Sequence, residues 1–161
     1  MKVSEVMTRT PAYCNPETNL GEAVEIMWVC NCGALPVVDT EGRVVSVITD
    51  RDICIALGTR NRLASDLTVA DVSTQRVISC DANEDISSAL TRMAKNKVRR
   101  LPVINAQGKL EGILSMDDVV GRTNIQGISK GEGLTSEDIV TTLKTLYSQQ
   151  LPGTITKATA A

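Results

Sequence analysis

The chain has 161 residues, 17 basic and 19 acidic side chains, a formal net charge of −2 and three aromatic residues, Tyr13, Trp28 and Tyr147. A nucleic-acid-binding protein more often carries a basic face or aromatic stacking platforms, so we expect no nucleic-acid partner. The sequence has no apolar run of membrane-spanning length, no signal-peptide core after Met1 and no histidine, so we expect a cytoplasmic protein with no membrane partner, no catalytic residues and no metal site.

The sequence repeats itself at an offset of 66 residues, without a gap from Val3/Val69 to Asp52/Asp118. The identical pairs include Val6/Val72, Thr8/Thr74, Cys14/Cys80, Met27/Met93, Leu35/Leu101, Pro36/Pro102 and Gly42/Gly108. A copy of about 55 residues buries little apolar surface alone, so we expect both copies to share one core. Two copies predict a pseudo-two-fold pair with two related clefts between them.

Each copy is predicted to contain an extended segment, a helix, two strands and a closing helix. In the first copy, apolar residues recur at helical spacing over 20–27, with Thr18 as the candidate N-cap. The apolar segment 34–39 and the β-branched segment 44–48 predict two strands joined by a turn. The closing helix is expected to end at Gly58.

The second copy repeats this order. Its first helix is predicted over 86–93 with Asp85 as the N-cap. Strands are predicted at 101–104 and 110–114, and the closing helix is expected to end at Gly121.

The repeat ends near Gly121, and a different segment follows. Thr135 introduces a helix whose single apolar face must cover either the rest of the chain or another subunit. We therefore expect repeat units at 1–58 and 69–121, a linker at 59–68, a Gly-rich linker at 122–134, a C-terminal helix at 135–150 and a disordered tail at 151–161.

The doubled order strand–helix–strand–strand–helix resembles a tandem pair of cystathionine-β-synthase (CBS) domains, also called a Bateman module. The match is carried by 33–39 with 47–53 and by 98–104 with 112–118. The resemblance implies an α/β (α+β) fold of two pseudo-two-fold-related β-α-β-β-α motifs packed through their sheets, plus the C-terminal helix. Because no enzyme or transporter domain is attached, the chain resembles a stand-alone CBS protein.

Two Thr/Ser-x-x-Asp patterns, Thr49 with Asp52 and Ser115 with Asp118, stand at the head of the closing helices. The spacing is that of a capping box, in which the hydroxyl serves the backbone of the helix start. The same geometry can bind a nucleotide, and the resemblance implies that the Thr or Ser meets a phosphate while the Asp meets a ribose. Both interpretations stay open, and they do not exclude each other.

The resemblance also implies an adenine slot in each half. Its apolar walls would be Leu35, Pro36 and Ile48 in the first copy and Leu101, Pro102 and Leu114 in the second. The entering segments offer the weaker candidates Thr10, Ala12, Arg76 and Ile78.

Arg99 and Arg100 precede Leu101, whereas the first copy has Gly33 and Ala34 at these positions. Together with nearby lysines they can form a solvated basic patch. The resemblance implies instead that Arg100 reaches phosphates bound between the copies, and a guanidinium is well suited to phosphate oxygens. Arg51 is a weaker candidate for the same role.

Five cysteines are generous for this length. Cys14 and Cys80 are equivalent in the repeat and are expected in the core, whereas Cys30 and Cys32 lack the further ligands of a metal site. The number of cysteines leaves open a function as a thiol switch.

The sequence thus predicts a non-catalytic regulatory module that needs no cofactor and binds an adenosine-containing ligand, AMP, ADP, ATP or S-adenosylmethionine, in clefts between the motifs. The resemblance implies a homodimer through the motif helices, with Met27, Trp28 and Met93 as contact residues, and an unknown protein partner that responds to occupancy. The alternative is a ligand-free interaction or stress- and redox-responsive protein that acts through its surface or its cysteines.

Overall fold

Each repeat folds as a β-hairpin flanked by two helices, in a mixed α+β arrangement. A computed structural model describes residues 1–73, 76–122 and 135–148. The strands are β1 (Thr8–Arg9), β2 (Ala34–Val38), β3 (Val44–Thr49), β4 (Arg100–Ile104) and β5 (Leu110–Ser115). The α-helices are α1 (Leu20–Val29), α2 (Asp50–Arg60), α3 (Val69–Val72), α4 (Ile86–Asn96), α5 (Met116–Arg122) and α6 (Ser136–Tyr147).

The two hairpins have equivalent registers. β2 pairs antiparallel with β3, placing Leu35 opposite Ile48, and β4 pairs with β5 in the same way. Each hairpin turn contains a glycine with positive φ, 82° at Gly42 and 76° at Gly108, a conformation that favours glycine. The two turns meet, because the Val44 N–H donates to the Gly108 carbonyl at 3.0 Å.

The halves exchange their entering segments. The Val3 N–H donates to the Glu84 carbonyl at 2.9 Å in the second repeat, and the equivalent Val69 N–H donates to the Thr18 carbonyl at 2.8 Å in the first. The apolar side chains follow the backbone, so that Val3 packs in the core of the second repeat and Val69 in that of the first. The expectation of one shared core is therefore wrong: the described residues form two clusters, each completed by a segment of the other half.

Strand β1 extends this exchange into a sheet. It pairs antiparallel with β5, with Thr8 opposite Ile113 and Arg9 opposite Gly112. The resulting three-stranded sheet has the order β1-β5-β4, whereas β2 and β3 form a two-stranded sheet. The first repeat thus contributes the edge strand of the sheet of the second.

Some predicted helix ends are wrong and others are confirmed. Asp85 is the N-cap of α4 as predicted, but α1 is capped by Asn19, because the Thr18 hydroxyl instead accepts from the Asn15 N–H. Helix α2 continues through Gly58 to Arg60, and α5 continues through Gly121 to Arg122. A glycine in a helix costs only about 1 kcal/mol relative to alanine, so it does not by itself end one.

Helix α6 folds back onto the second repeat. It begins after the N-cap Thr135 and packs along α4, where Ile139, Leu143 and Leu146 join the core. The Lys97 ammonium donates to the Thr145 carbonyl and fixes the end of α6. The predicted disordered tail, and the Gly-rich linker except for Arg122, lie outside the described residues.

Met27 and Met93 are buried in the two cores, so their expected role as subunit contacts is wrong. Trp28, the third residue of that expectation, is exposed. In the described parts of the chain, no helix combines the length and the apolar character that crossing a membrane requires.

The cysteines fall into two groups. Cys14 and Cys80 are both 3% exposed, and burial raises the pKa of the Cys14 thiol to about 11 and that of the Cys80 thiol to about 12. Cys30 and Cys54 are exposed, and Cys32 is half-buried. The core placement predicted for Cys14 and Cys80 is confirmed.

The close approach of β1 and β5 predicts that Gly112→Ala is destabilising. A Cβ at Gly112 would lie 2.8 Å from both the Thr8 carbonyl oxygen and the Met7 sulfur. The backbone oxygen cannot move aside without disturbing the strand pairing. We therefore expect the free energy of unfolding, measured with urea, to fall by about 1–3 kcal/mol, as for other overpacked sites. Gly58→Ala is the control, because its Cβ meets nothing within 4 Å and should stabilise α2 by up to about 1 kcal/mol. If Gly112→Ala and the wild type were equally stable, the close approach of β1 and β5 at Gly112 would be contradicted.

The thiol environments predict the order of labelling at pH 8. Because a raised pKa leaves less thiolate, and burial also blocks access, Cys14 and Cys80 should react with an aromatic disulfide reagent only after unfolding. Cys30 and Cys54 should react rapidly in the native protein. The double variant Cys30→Ser/Cys54→Ser should lose the rapid phase, and native-state labelling of Cys14 or Cys80 would show that the cores open.

Candidate functional site

A cleft of about 260 Å³ lies between the two repeats. The first repeat lines it with Thr8, Pro11, Ala12, Cys30, Asn31, Cys32 and Ala34. The second lines it with Arg100, Ile113, Ser115, Asp117 and Asp118. It is termed the Asp118 cleft below, and its composition shows that neither repeat could form it alone.

The Asp118 carboxylate stands at the beginning of α5 and is held by both repeats. Its Oδ2 accepts from the Ser115 hydroxyl at 2.6 Å and from the Ser115 N–H at 2.9 Å. Its Oδ1 accepts from the Thr8 hydroxyl at 3.1 Å. An ionised carboxylate has about four acceptor positions, so these three bonds leave room for a ligand hydroxyl.

The exchange of entering segments positions Thr8. Pairing of β1 with β5 sets Thr8 opposite Ile113, two residues before Ser115.

The loop after α1 forms the adjoining wall: the Asn31 N–H donates to the Trp28 carbonyl at 3.2 Å, and Asn31 itself has a φ of 48°. The last turn of α1 therefore determines where Asn31 lies in the cleft.

Arg100 supplies the positive charge of the cleft. It begins β4 opposite Ser115, and its guanidinium lies 3.8 Å from the exposed Asp117 carboxylate, a long and partly solvated ion pair. Arg99 lies elsewhere: its guanidinium donates to the Tyr147 hydroxyl at 3.4 Å, and this hydrogen bond raises the pKa of Arg99. Of the two predicted arginines, only Arg100 lines the Asp118 cleft.

The capping interpretation is confirmed at both Thr/Ser-x-x-Asp patterns. The Asp52 carboxylate accepts from the Thr49 hydroxyl at 2.7 Å and from the Thr49 N–H at 3.0 Å, as Asp118 does from Ser115. The same box also occurs at α3 and α6, where hydrogen bonds from Thr68 and Thr135 lower the pKa values of Asp71 and Asp138. The pattern alone therefore does not identify a ligand site. Among the four boxes, only that of Ser115 lines the Asp118 cleft.

The apolar residues predicted for the slots do not line the Asp118 cleft. Leu35, Ile48, Leu101 and Leu114 are fully buried in the two cores, and Pro36 and Pro102 are also buried, with Pro102 paired opposite Ile113. The apolar wall of the Asp118 cleft is formed by Pro11, Ala12, Ala34 and Ile113 instead. Alternation along a strand explains the difference, because Ile113 and Leu114 must face opposite sides of the sheet.

Three of the weaker candidates for ligand binding, Arg76, Ile78 and Thr10, lie outside the lining of the Asp118 cleft. Arg76 and Ile78 line a separate open groove of about 550 Å³ along α4, together with Arg92 and Lys95. Thr10 does not line the Asp118 cleft, although the neighbouring Ala12 does.

The lining of the cleft combines polar side chains with an apolar wall. In the described residues, no three His, Cys, Asp or Glu side chains cluster as metal ligands. Burial raises the pKa of Cys32, whereas the nearby Arg100 charge acts in the opposite direction. Besides the thiols of Cys30 and Cys32, the lining contains hydroxyls, carboxylates, the Asn31 side chain, one guanidinium and an apolar wall, a set that suits a small polar ligand with an apolar ring.

Comparison with known proteins identifies relatives of the chain. The chain is 36% identical over 118 residues to a 17.7 kDa protein of Acidianus ambivalens, covering 73% of this chain and 70% of that one. It is 31% identical to the CBS domain-containing protein YhcV of Bacillus subtilis, covering 83% and 93%. It is 32% identical to inosine-5'-monophosphate dehydrogenase of Methanocaldococcus jannaschii, but spans only 23% of that enzyme.

Solved structures of CBS domain pairs are similar to this chain. The CBS domain pair of protein MJ0100, in complex with 5'-methylthioadenosine and S-adenosyl-L-methionine, matches with a TM-score of 0.69 and 25% identity over 75% of this chain and 94% of that one. CBSX2 in complex with AMP matches with a TM-score of 0.66 and 27% identity over 74% and 93%. The CBS domain family itself matches residues 3–59 and 69–123. The chain therefore belongs to the CBS domain family, as a tandem pair whose halves together form the Asp118 cleft.

Proposed function

We propose that the protein is a non-catalytic sensor that binds an adenosine-containing ligand in the Asp118 cleft and signals occupancy to a protein partner. A CBS pair is a regulatory module, so the open questions are which ligand it takes and what responds to it. The observation that carries the proposal is the Asp118 cleft itself, with a carboxylate, a hydroxyl, a guanidinium and an apolar wall drawn from both repeats.

Each part of a nucleotide has a counterpart in the cleft. The apolar wall of Ala12, Ala34 and Ile113 suits the faces of a purine ring. The Asp118 carboxylate is an acceptor for ribose hydroxyls, and the Arg100 guanidinium can donate to a phosphate. The Ser115 hydroxyl can donate to a phosphate only if its one proton leaves Asp118, to which it donates at 2.6 Å. A volume of about 260 Å³ suits a nucleoside, with a phosphate chain at the open mouth.

The first repeat offers an equivalent set for a second cleft. Thr49 and Asp52 repeat the hydroxyl and the acid, Leu35 and Ile48 lie in the core of the same repeat, and Pro36 is buried in β2. In the second repeat, Leu101 and Leu114 lie in the core in the same way, and Pro102 is buried in β4 opposite Ile113, which lines the Asp118 cleft. AMP, ADP, ATP and S-adenosylmethionine are the candidate ligands, since the similar CBS pairs above were solved with 5'-methylthioadenosine, S-adenosyl-L-methionine or AMP.

Signalling follows from the position of Thr8. A ligand hydroxyl that takes the remaining acceptor position of Asp118 shares the carboxylate with the Thr8 hydroxyl, which belongs to the other repeat, and weakens that bond. Occupancy therefore changes a bond between the halves, and the ligand shifts their arrangement by its differential affinity for the two states. The protein would work as a cytoplasmic homodimer and need no cofactor.

A thiol-responsive function is the second candidate, because Cys30 and Cys32 line the same cleft and Cys30 is exposed. Oxidation there would alter the cleft wall without any nucleotide. A melting temperature that responds to dithiothreitol but to no adenine compound would favour this function.

Substitution of Asp118 tests the ribose contact. Asp118→Ala should weaken binding of AMP or S-adenosylmethionine about tenfold or more in isothermal titration calorimetry, because a charged hydrogen-bond acceptor is lost. Asp71→Ala is the matched control, since it removes a capping carboxylate that accepts the same two bonds from its Thr but lines no part of the cleft. Equal affinities of the two variants, or no binding of any adenine compound to the wild type, would refute the proposal.

Substitution of Arg100 tests the phosphate contact. Arg100→Ala should weaken AMP and ATP about tenfold or more and leave adenosine nearly unchanged, because only phosphate needs the guanidinium. Arg99→Ala is the control, since Arg99 points to Tyr147. Calorimetry of the wild type and both variants with adenosine, AMP and ATP measures the difference, and an equal loss of affinity for adenosine and AMP in Arg100→Ala would indicate a structural role for Arg100.

A further inference from the structure

The mouth of the Asp118 cleft carries a second acid, Asp117. Asp117 lines the cleft, yet its side chain is 89% exposed, so its carboxylate stands at the opening rather than in the interior. The side chain of Arg100, which also lines the cleft, is only 29% exposed and lies deeper. The part of a ligand that extends from the cleft into solvent therefore passes the Asp117 carboxylate.

The first repeat has the opposite charge at this position. At the repeat offset Asp117 corresponds to Arg51, and each is the second residue of its closing helix. An acid in the first turn of a helix is favoured by the helix dipole, which gives Asp117 a structural explanation. The fold does not require an acid there, because α2 forms with Arg51 in the same place.

The charges of the cleft lining are unbalanced. Among the described residues that line it, there is one guanidinium, that of Arg100, and there are two carboxylates, those of Asp117 and Asp118. The Asp117 carboxylate lies 3.8 Å from the Arg100 guanidinium and competes with a bound anion for it. The Asp117 charge also acts on Arg99, but the Arg99 guanidinium donates to Tyr147 and does not line the cleft. Arg100 can therefore match one phosphate group, whereas each further phosphate adds negative charge beside Asp117.

We propose that Asp117 makes the Asp118 cleft selective for adenosine ligands that carry either no more than one phosphate group or a positive charge, and that it disfavours ADP and ATP. The sulfonium and ammonium groups of S-adenosylmethionine gain a partner in the Asp117 carboxylate, while the carboxylate of the same ligand suits Arg100. A diphosphate or triphosphate chain meets the Asp117 carboxylate as a like charge. The inference rests on the proposed function, because it specifies which of the candidate ligands the Asp118 cleft takes.

Removal of the Asp117 charge tests the selectivity, because it should move two affinities in opposite directions. In isothermal titration calorimetry of the full chain, with EDTA present to exclude divalent cations, ATP should bind the wild type no more tightly than AMP. Asp117→Asn should strengthen ATP binding about threefold or more, weaken S-adenosylmethionine binding about threefold or more, and leave adenosine nearly unchanged. Raising the salt concentration from about 0.05 to about 0.5 M should reduce both effects, because salt screens charges at the open mouth.

Glu137→Gln is the matched control for the lost charge. Glu137 is the second residue of α6 and precedes the capping Asp138, as Asp117 precedes Asp118, but it lines no part of the cleft. Each protein is also measured with Asp52→Ala, which removes the equivalent acid of the first repeat, so that binding at a second cleft is separated from binding at the Asp118 cleft.

The outcomes separate the selectivity from the proposed function. If the wild type binds no adenine compound, the proposed function fails, and this inference fails with it. If the wild type binds adenosine or AMP but Asp117→Asn changes neither ATP nor S-adenosylmethionine binding, or moves both in the same direction, the role of Asp117 is overturned and the proposed function stands. A general loss of structure would weaken both ligands alike, so the opposite signs cannot arise from misfolding.

Discussion

The pairing of β1 with β5 is the contact on which the Asp118 cleft depends. It carries Thr8 of the first repeat to the carboxylate of the second, and it holds Pro11 and Ala12 where they complete the apolar wall. This pairing is possible because Gly112 has no side chain to meet the backbone of Thr8. The equivalent residue in the first repeat is Ser46, so the two halves do not offer the same surface to an added strand.

The duplicated sequence predicted the hairpins well, because each is a local structure. Apolar segments, a glycine in the turn and β-branched residues suffice to place Leu35 opposite Ile48 and Leu101 opposite Leu114. The exchange of entering segments was not predicted. Val3 and Val69 look alike in sequence, and nothing in their neighbours indicates that each packs in the other half.

The sequence indicated a residue of the cleft lining where charge asymmetry between the repeats marked it, and missed others where strand orientation decides the lining. Arg100 could be identified because the first repeat has alanine at that position. Thr8 and Ile113 were missed, since their place in the cleft depends on strand pairing that no local pattern encodes. The Thr/Ser-x-x-Asp boxes are easy to find in the sequence but do not by themselves identify a ligand site. Four of them in the described residues have nearly the same hydrogen bonds, and only the box of Ser115 and Asp118 lines the cleft.

The end of α1 belongs to two surfaces at once. Trp28 is exposed on the outside, while its carbonyl accepts the N–H of Asn31, which lines the cleft on the inside. A single helical turn thus separates the cleft from the outer surface around the tryptophan. Thermodynamic reciprocity then requires that if filling the cleft alters the affinity of that outer surface by some factor, covering the surface alters ligand affinity by the same factor.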